Sequence, residues 1–306
     1  MGARAITWQR ALAQFIFGFG AKLHRRWPSL LPMRLLRASP VKACFRKLSG
    51  SSELLTYREG DLALECYKRH WVVYSLGMYE PLTRRVLESL FQPGMVFVDG
   101  GANVGWYSLL ASRRIGDAGL VHAFEPHPGA YEVLMANIGR NRAHNIKPWN
   151  VALGSGPGTA VLHGSTEPGS HTLLQTCATE CYTVSVVALD DVLGDARVDI
   201  IKLDLEGSEI QALQGMEKIL QRLRKPVLVI ELASDWLNRA QVSAWDITEY
   251  LKAHRYRLKA IDDHQGRGPF ELDAREKEAM QHCEFNYNLL CLPEDWSYDR
   301  GCSYEK

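Results

Sequence analysis

Three short stretches of this chain set carboxylates where a ligand could meet them. In the first, Asp99 heads the turn Gly100-Gly101-Ala102-Asn103-Val104-Gly105. Glycine permits a tight turn and lets a ligand come close to the backbone. The free amides of a helix that follows would suit an anionic group. A carboxylate beside a phosphate is repelled, but beside an ammonium it is attracted. Asp99 with the loop amides therefore suits a ligand bearing both an ammonium and a carboxylate, as an amino acid does. Twenty residues after Gly105 comes Glu125-Pro126, whose carboxylate can accept from both hydroxyls of a ribose. An amino-acid end joined to a ribose end describes S-adenosylmethionine. A nicotinamide dinucleotide fits less well, because the GxGxxG turn would need glycine where Asn103 stands.

The third stretch, Lys202-Leu203-Asp204-Leu205-Glu206-Gly207-Ser208-Glu209, gathers three carboxylates and a lysine. Strand alternation sets Lys202 and Asp204 on one face. Ser208 reads as the N-cap of a helix, and Glu209 as a first-turn acid favoured by the helix dipole. Asp204 and Glu206 are left as the pair for chemistry.

These stretches need a scaffold that brings them to one edge. Met95–Asp99, Leu120–Glu125, Ile146–Leu153, Val198–Asp204 and Pro226–Leu232 read as buried strands. Helical stretches follow near Val104, over Tyr131–Asn141 and over Ser208–Leu223, and another closes at Tyr250–His254. Arg257–Ile261 and Phe285–Leu292 supply two last strands, and 154–182 reads as a loop or hairpin insertion. Apolar strands alternating with helices predict an α/β fold with a parallel sheet covered on both faces. In such a sheet ligands bind outside the carboxyl ends of the strands, where all three stretches lie.

With FVDGGANVGWYS (97–108), FEPHP (124–128), NVALG (150–154), IIKLDLEGSEIQALQG (200–215) and VIEL (229–232) in this order, the sequence resembles the FkbM-type S-adenosylmethionine-dependent methyltransferases. The resemblance runs over roughly residues 79–235. It implies a Rossmann-like seven-stranded methyltransferase sheet, mostly parallel with an antiparallel last strand, and O-methylation of a hydroxyl on a sugar, glycan or polyketide-like metabolite. It also implies that Asp99, Gly101, Asn103 and Gly105 hold the methionine end, Glu125 the ribose, and Asn150 and Val151 the adenine. Glu80 matches an acidic position before the first strand, although Pro81 also suits a helix start there. Gly100 departs from the family, which commonly has a small aliphatic or β-branched residue; the change should be tolerated.

Methyl transfer to an alcohol needs an in-line nucleophile held close and a base to take its proton. The candidate bases are Asp204, Glu206 and His171, the last in the insertion expected to wall the acceptor. Asp204 and Glu206 lack a third ligand, so no metal is expected. The rival readings are a nicotinamide-dependent oxidoreductase on the same architecture and a non-catalytic cofactor-binding scaffold.

Composition sets the frame. Net charge is +1 over 306 residues, so nucleic acid is not an expected partner. Residues 1–50 nevertheless hold ten Lys and Arg and no Asp or Glu. Within them Trp8, Leu12, Phe15, Phe19 and Leu23 form an amphipathic stripe, and residues 1–27 would suit peripheral contact with an anionic membrane. The same stripe also suits a helix docked on the main domain, or a targeting peptide. The seven cysteines show no CxxC pair and read as reduced cytoplasmic thiols. The expected organisation is a basic arm (1–50), a cap segment (51–92), the methyltransferase domain (93–292) and a tail (293–306).

Overall fold

A computed structural model of the chain describes residues 54–164, 171–174, 181–272, 278, 280 and 285–296. The stripe of the basic arm and the tail beyond 296 lie outside them. The chain divides into two compact units, one ending at Pro81 and the other starting at Leu82.

In the first unit, β1 (Leu54–Glu59) and β2 (Leu62–Tyr67) form an antiparallel hairpin. Its turn uses Gly60 at φ 59°. The helix Lys68–Leu76 follows, and its Trp71 donates from Nε1 to the Thr56 carbonyl at 3.0 Å.

The second unit carries the main sheet. The helix Pro81–Leu90 leads into it, as the proline predicts. Then come β3 (Val96–Gly100), β4 (Leu120–Phe124) and β5 (Ile146–Trp149), with helices Trp106–Ile115 and Pro128–Asn141 between them. A second, four-stranded sheet is built from β6 (Ala152–Leu153), β7 (Gly158–Gly164), β8 (His171–Thr172) and β9 (Cys181–Val187), in the order β6-β9-β7-β8. The main sheet resumes with β10 (Ile200–Leu203), β11 (Val227–Ala233), β12 (Tyr256–Asp262), β13 (Arg267–Glu271) and β14 (Asn286–Pro293). Its order is β13-β12-β14-β11-β10-β3-β4-β5.

Five neighbouring strands, β5, β4, β3, β10 and β11, are parallel, and β14 runs antiparallel between β11 and β12. That is the expected seven-stranded sheet with its antiparallel last strand. An eighth strand, β13, joins the edge as an antiparallel partner of β12. Ile200, Ile201, Lys202 and Leu203 are each no more than 1% exposed. Successive strand residues point to opposite faces, so the sheet is covered on both. Burying each such aliphatic side chain contributes about 1.5–3 kcal/mol.

Two elements differ from the sequence reading. Ile146–Leu153 is not one strand, because the chain leaves the main sheet at Asn150. The Asn150 side chain donates to the carbonyls of Glu125 and Pro126 at 2.8 and 3.1 Å, and β6 pairs with β9 instead. Ser208–Leu223 is likewise two short helices, Glu209–Gln214 and Glu217–Leu220. The break falls at Gly215, where a Cβ would stand 1.9 Å from the Gly154 carbonyl oxygen. The backbone comes too close to β6 for any side chain there. Among the described residues, no helix is long and apolar enough to cross a membrane.

Candidate functional site

The chain runs outward from β3 to β5, then returns to place β10 on the other side of β3. In open α/β sheets ligands bind at the carboxyl ends of the strands beside such a reversal, and the three carboxylate-bearing stretches meet at that edge of β3 and β10.

The glycine turn after β3 is held by its neighbours. Gly101 and Ala102 both donate their amides to the Phe124 carbonyl, at 3.0 and 2.9 Å. Gly101 (φ 79°), Asn103 (φ 49°) and Gly105 (φ 91°) all take left-handed backbone. A Cβ on Gly101 would lie 1.9 Å from the Asp204 carbonyl oxygen. The close approach of two backbone segments therefore requires glycine here, whatever ligand binds. Gly100 is also crowded: a Cβ there would meet Leu203 Cδ2 at 2.9 Å and Leu153 Cδ1 at 3.0 Å.

Asp99, the last residue but one of β3, is buried and accepts from the Ser108 hydroxyl at 2.5 Å. Burial pushes its carboxyl up to about 6, against the pull of Lys202 and Ser108. Glu125, also buried, accepts from the amides of Asn103 at 2.7 Å and His127 at 2.8 Å. Burial pushes it up to about 7, and those amides only partly offset this. Each of its oxygens keeps a further lone-pair direction for a ligand hydroxyl. Lys202 is buried, its ammonium 2.9 Å from Asp204 Oδ2 and 4.9 Å from the centre of the Tyr107 ring. The expectation that Lys202 and Asp204 share a face holds, and Asp204 reaches the rim.

The turn after β10 also rests on residues whose part was not foreseen. Ser208 occupies the N-cap position, but its side chain makes no capping bond. Glu209 does more than favour the helix dipole. Buried, it accepts from the amides of Leu205 at 3.0 Å and Gly207 at 3.2 Å. This pins a turn in which Glu206 (φ 49°) and Gly207 (φ 103°) are left-handed. Burial pushes Glu209 up to about 7. From the small sheet, Thr172 donates its hydroxyl to the Glu206 carbonyl at 2.7 Å. The sequence signal for Glu209 was its place in the first turn of a helix, which does not report these bonds.

Asn150 is exposed and Val151 half-buried just beyond β5, with the Asn150 amide bonded to the Glu125 carbonyl. The His171 backbone pairs with Gly164, and its side chain lies outside the described residues. Glu80, at φ 41°, belongs to the first unit. The site is thus brought together around Asp99, Gly101, Asn103, Gly105, Glu125, Asp204 and Glu206.

Its charge balance says what fits. Asp204 raises the tendency of Asp99 to hold a proton, and Asp99 and Asp204 raise that of Glu125; the buried ammonium of Lys202 is already engaged by Asp204. A ligand with positive charge at β3 and hydroxyl donors at β4 would relieve both.

The family model for the methyltransferase FkbM domain matches residues 99–258. A methyltransferase, sdnD, of Sordaria araneosa is 30% identical over 167 residues, covering 43% of this chain and 64% of that protein. The hexuronic acid methyltransferase AglP of Haloferax volcanii is 25% identical over 171 residues, covering 54% of this chain and 67% of that protein. A crystal structure of a methyltransferase FkbM from Methylobacillus flagellatus superposes with a TM-score of 0.45 at 20% identity, over 72% of this chain and 52% of that one. The match thus spans less than two thirds of the first of these relatives.

Proposed function

The chain belongs to the FkbM methyltransferase family, and on that premise we propose that it uses S-adenosylmethionine to O-methylate a hydroxyl of a sugar or polyketide-like small molecule. The observation that carries this reading is the row of carboxylates Glu125, Asp99 and Asp204 around a glycine turn at the topological switch. When bound, that cofactor supplies an electrophilic methyl group on a sulfonium. Glu125 would accept from the ribose hydroxyls, and Asp99 would receive the ammonium, with the amides of the glycine turn facing the carboxylate. Asn150 and Val151 would border the adenine.

Asp204 is the base this reading favours. It stands at the rim, and Lys202 holds its carboxylate in one orientation. Glu206 sits in a turn fixed by Glu209 and Thr172, where it would border the acceptor. Enclosure of Asp99 and Glu125 keeps water from competing for the cationic end.

Calorimetry with S-adenosylmethionine and with NAD, followed by transfer of labelled methyl to a sugar panel, tests the proposal. Binding of NAD alone would favour the oxidoreductase reading. Cofactor binding without transfer to any member of the panel would favour a scaffold.

A further inference from the structure

Strand register carries the polar row beyond the residues used above. Lys202 stands beside Asp99 in one parallel ladder and beside Val229 in the other. Asp204 and Glu231, each two residues further on, therefore share a face of the sheet with Asp99. The antiparallel pair Glu231–Asn288 takes that face on to β14, where Asn286 also lies on it, opposite Ala233. Asn288 is buried, at 5% exposed. Asn286 is exposed, with its side-chain nitrogen 3.3 Å from His264 Nε2. One face at the carboxyl edge thus bears acids just past β4, on β3 and just past β10, then a carboxylate and two amides on β11 and β14.

The direction of the row matters. A ribose at Glu125 and an ammonium at Asp99 lay the cofactor across β4 and β3, with its reactive end toward β10; this step rests on the proposed function. Neighbouring strands are about 4.8 Å apart. Glu231 and Asn288 therefore lie about 5 and 10 Å past Asp204 along the row, the span of one sugar ring. We propose that Glu231, Asn288 and Asn286 form the acceptor subsite, and that it takes a neutral vicinal diol such as a hexopyranoside presents. A carboxylate accepts from two adjacent hydroxyls, and each asparagine amide both donates and accepts. Asp204 and Glu231 together disfavour an anionic ring, since Lys202 is already paired.

The test is saturation-transfer NMR on the full chain with S-adenosylhomocysteine bound, using methyl α-D-mannopyranoside and methyl β-D-glucuronide as probes. The mannoside should bind, and the glucuronide more weakly. Glu231→Leu and the surface variant Asn286→Ala should each weaken mannoside binding about tenfold while S-adenosylhomocysteine affinity stays within about twofold, as loss of one hydrogen bond to the acceptor requires. Asn286→Ala changes an exposed side chain, so it keeps the test valid if Glu231→Leu misfolds. Mannoside affinity unchanged in both variants, or no mannoside binding by the wild type, overturns the subsite. So does a glucuronide that binds better than the mannoside, or a parallel loss of S-adenosylhomocysteine. Failure of the wild type to bind S-adenosylhomocysteine would instead overturn the cofactor reading, and mannoside binding that depends on Glu231 would still support the subsite.

Discussion

Two carboxylates set what single substitutions should do. Glu125 has two roles, because its oxygens already accept from the Asn103 and His127 amides. Glu125→Ala should weaken S-adenosylmethionine binding by about 1.5–3 kcal/mol, the range for hydrogen bonds to a charged group. It should also lower Tm, since two amides lose their acceptor, whereas Glu125→Gln keeps one acceptor and should lose less on both counts. Calorimetry beside thermal melts separates the roles; unchanged affinity in a folded Glu125→Ala protein would remove the ribose assignment. Asp99 gives a pH dependence. Its carboxyl is raised from 3.8 to about 6 in the folded protein. The folded state therefore keeps a proton that the unfolded chain has released. The stability this contributes is full below pH 3.8 and is lost as pH rises through about 6. An ammonium at Asp99 favours the ionised form, so cofactor affinity should climb over the same window. In Asp99→Asn both trends should weaken, the rest of the stability trend coming from Glu125 and Glu209, which burial raises to about 7; melts and calorimetry from acid to neutral pH would show this. A wild-type affinity that falls toward neutral pH would contradict the ammonium assignment.

Among the elements, legibility followed the strength of local pattern. β3, β4, β10 and β11 were readable because each is a short apolar run buried on both faces, and the three chemical stretches begin where those runs stop. The small sheet was not readable in detail. Its strands carry exposed residues such as Val161 and Thr183, and its order depends on β6 leaving the main sheet at Asn150. The helix break at Gly215 was hidden for a similar reason, since periodicity in Ser208–Leu223 cannot report a backbone that must pass close to Gly154. Glu209 looked like an ordinary first-turn acid because its partners are main-chain amides, which leave no mark in sequence. Glycines show the same contrast and lead to a prediction. Gly101→Ala should destabilise the protein by well over the roughly 1–2 kcal/mol that left-handed backbone costs an alanine, because its Cβ would also meet the Asp204 carbonyl at 1.9 Å. Ligand binding should fall with it. Gly158→Ala, with nothing within 4 Å of the added Cβ, should be neutral or slightly stabilising. Equal Tm for the two variants would show that the β3 and β10 turns do not need that close approach.

For the whole molecule the informative quantity is the distribution of charge. The first fifty residues hold ten basic and no acidic side chains, leaving 26 basic against 35 acidic in the other 256. A net charge of +1 therefore averages a basic arm with an acidic body. An anionic bilayer would attract the arm and repel the body, so any attachment should act through the arm alone. Each basic residue near such a surface contributes about 1 kcal/mol, and the apolar stripe Trp8, Leu12, Phe15, Phe19 and Leu23 would add burial. The attraction must weaken with salt, because the Debye length shrinks from about 10 Å at 0.1 M to about 3 Å at 1 M. A stripe packed against its own protein would show no such dependence, and breaking it would lower Tm instead. The full chain should co-sediment with phosphatidylserine vesicles at low salt and leave them at high salt. The double variant Arg25→Glu, Arg26→Glu should stay in the supernatant at both, with Tm unchanged. If the wild type also stays in the supernatant at low salt, and Phe15→Asp lowers Tm, the stripe packs within the protein and the membrane assignment fails.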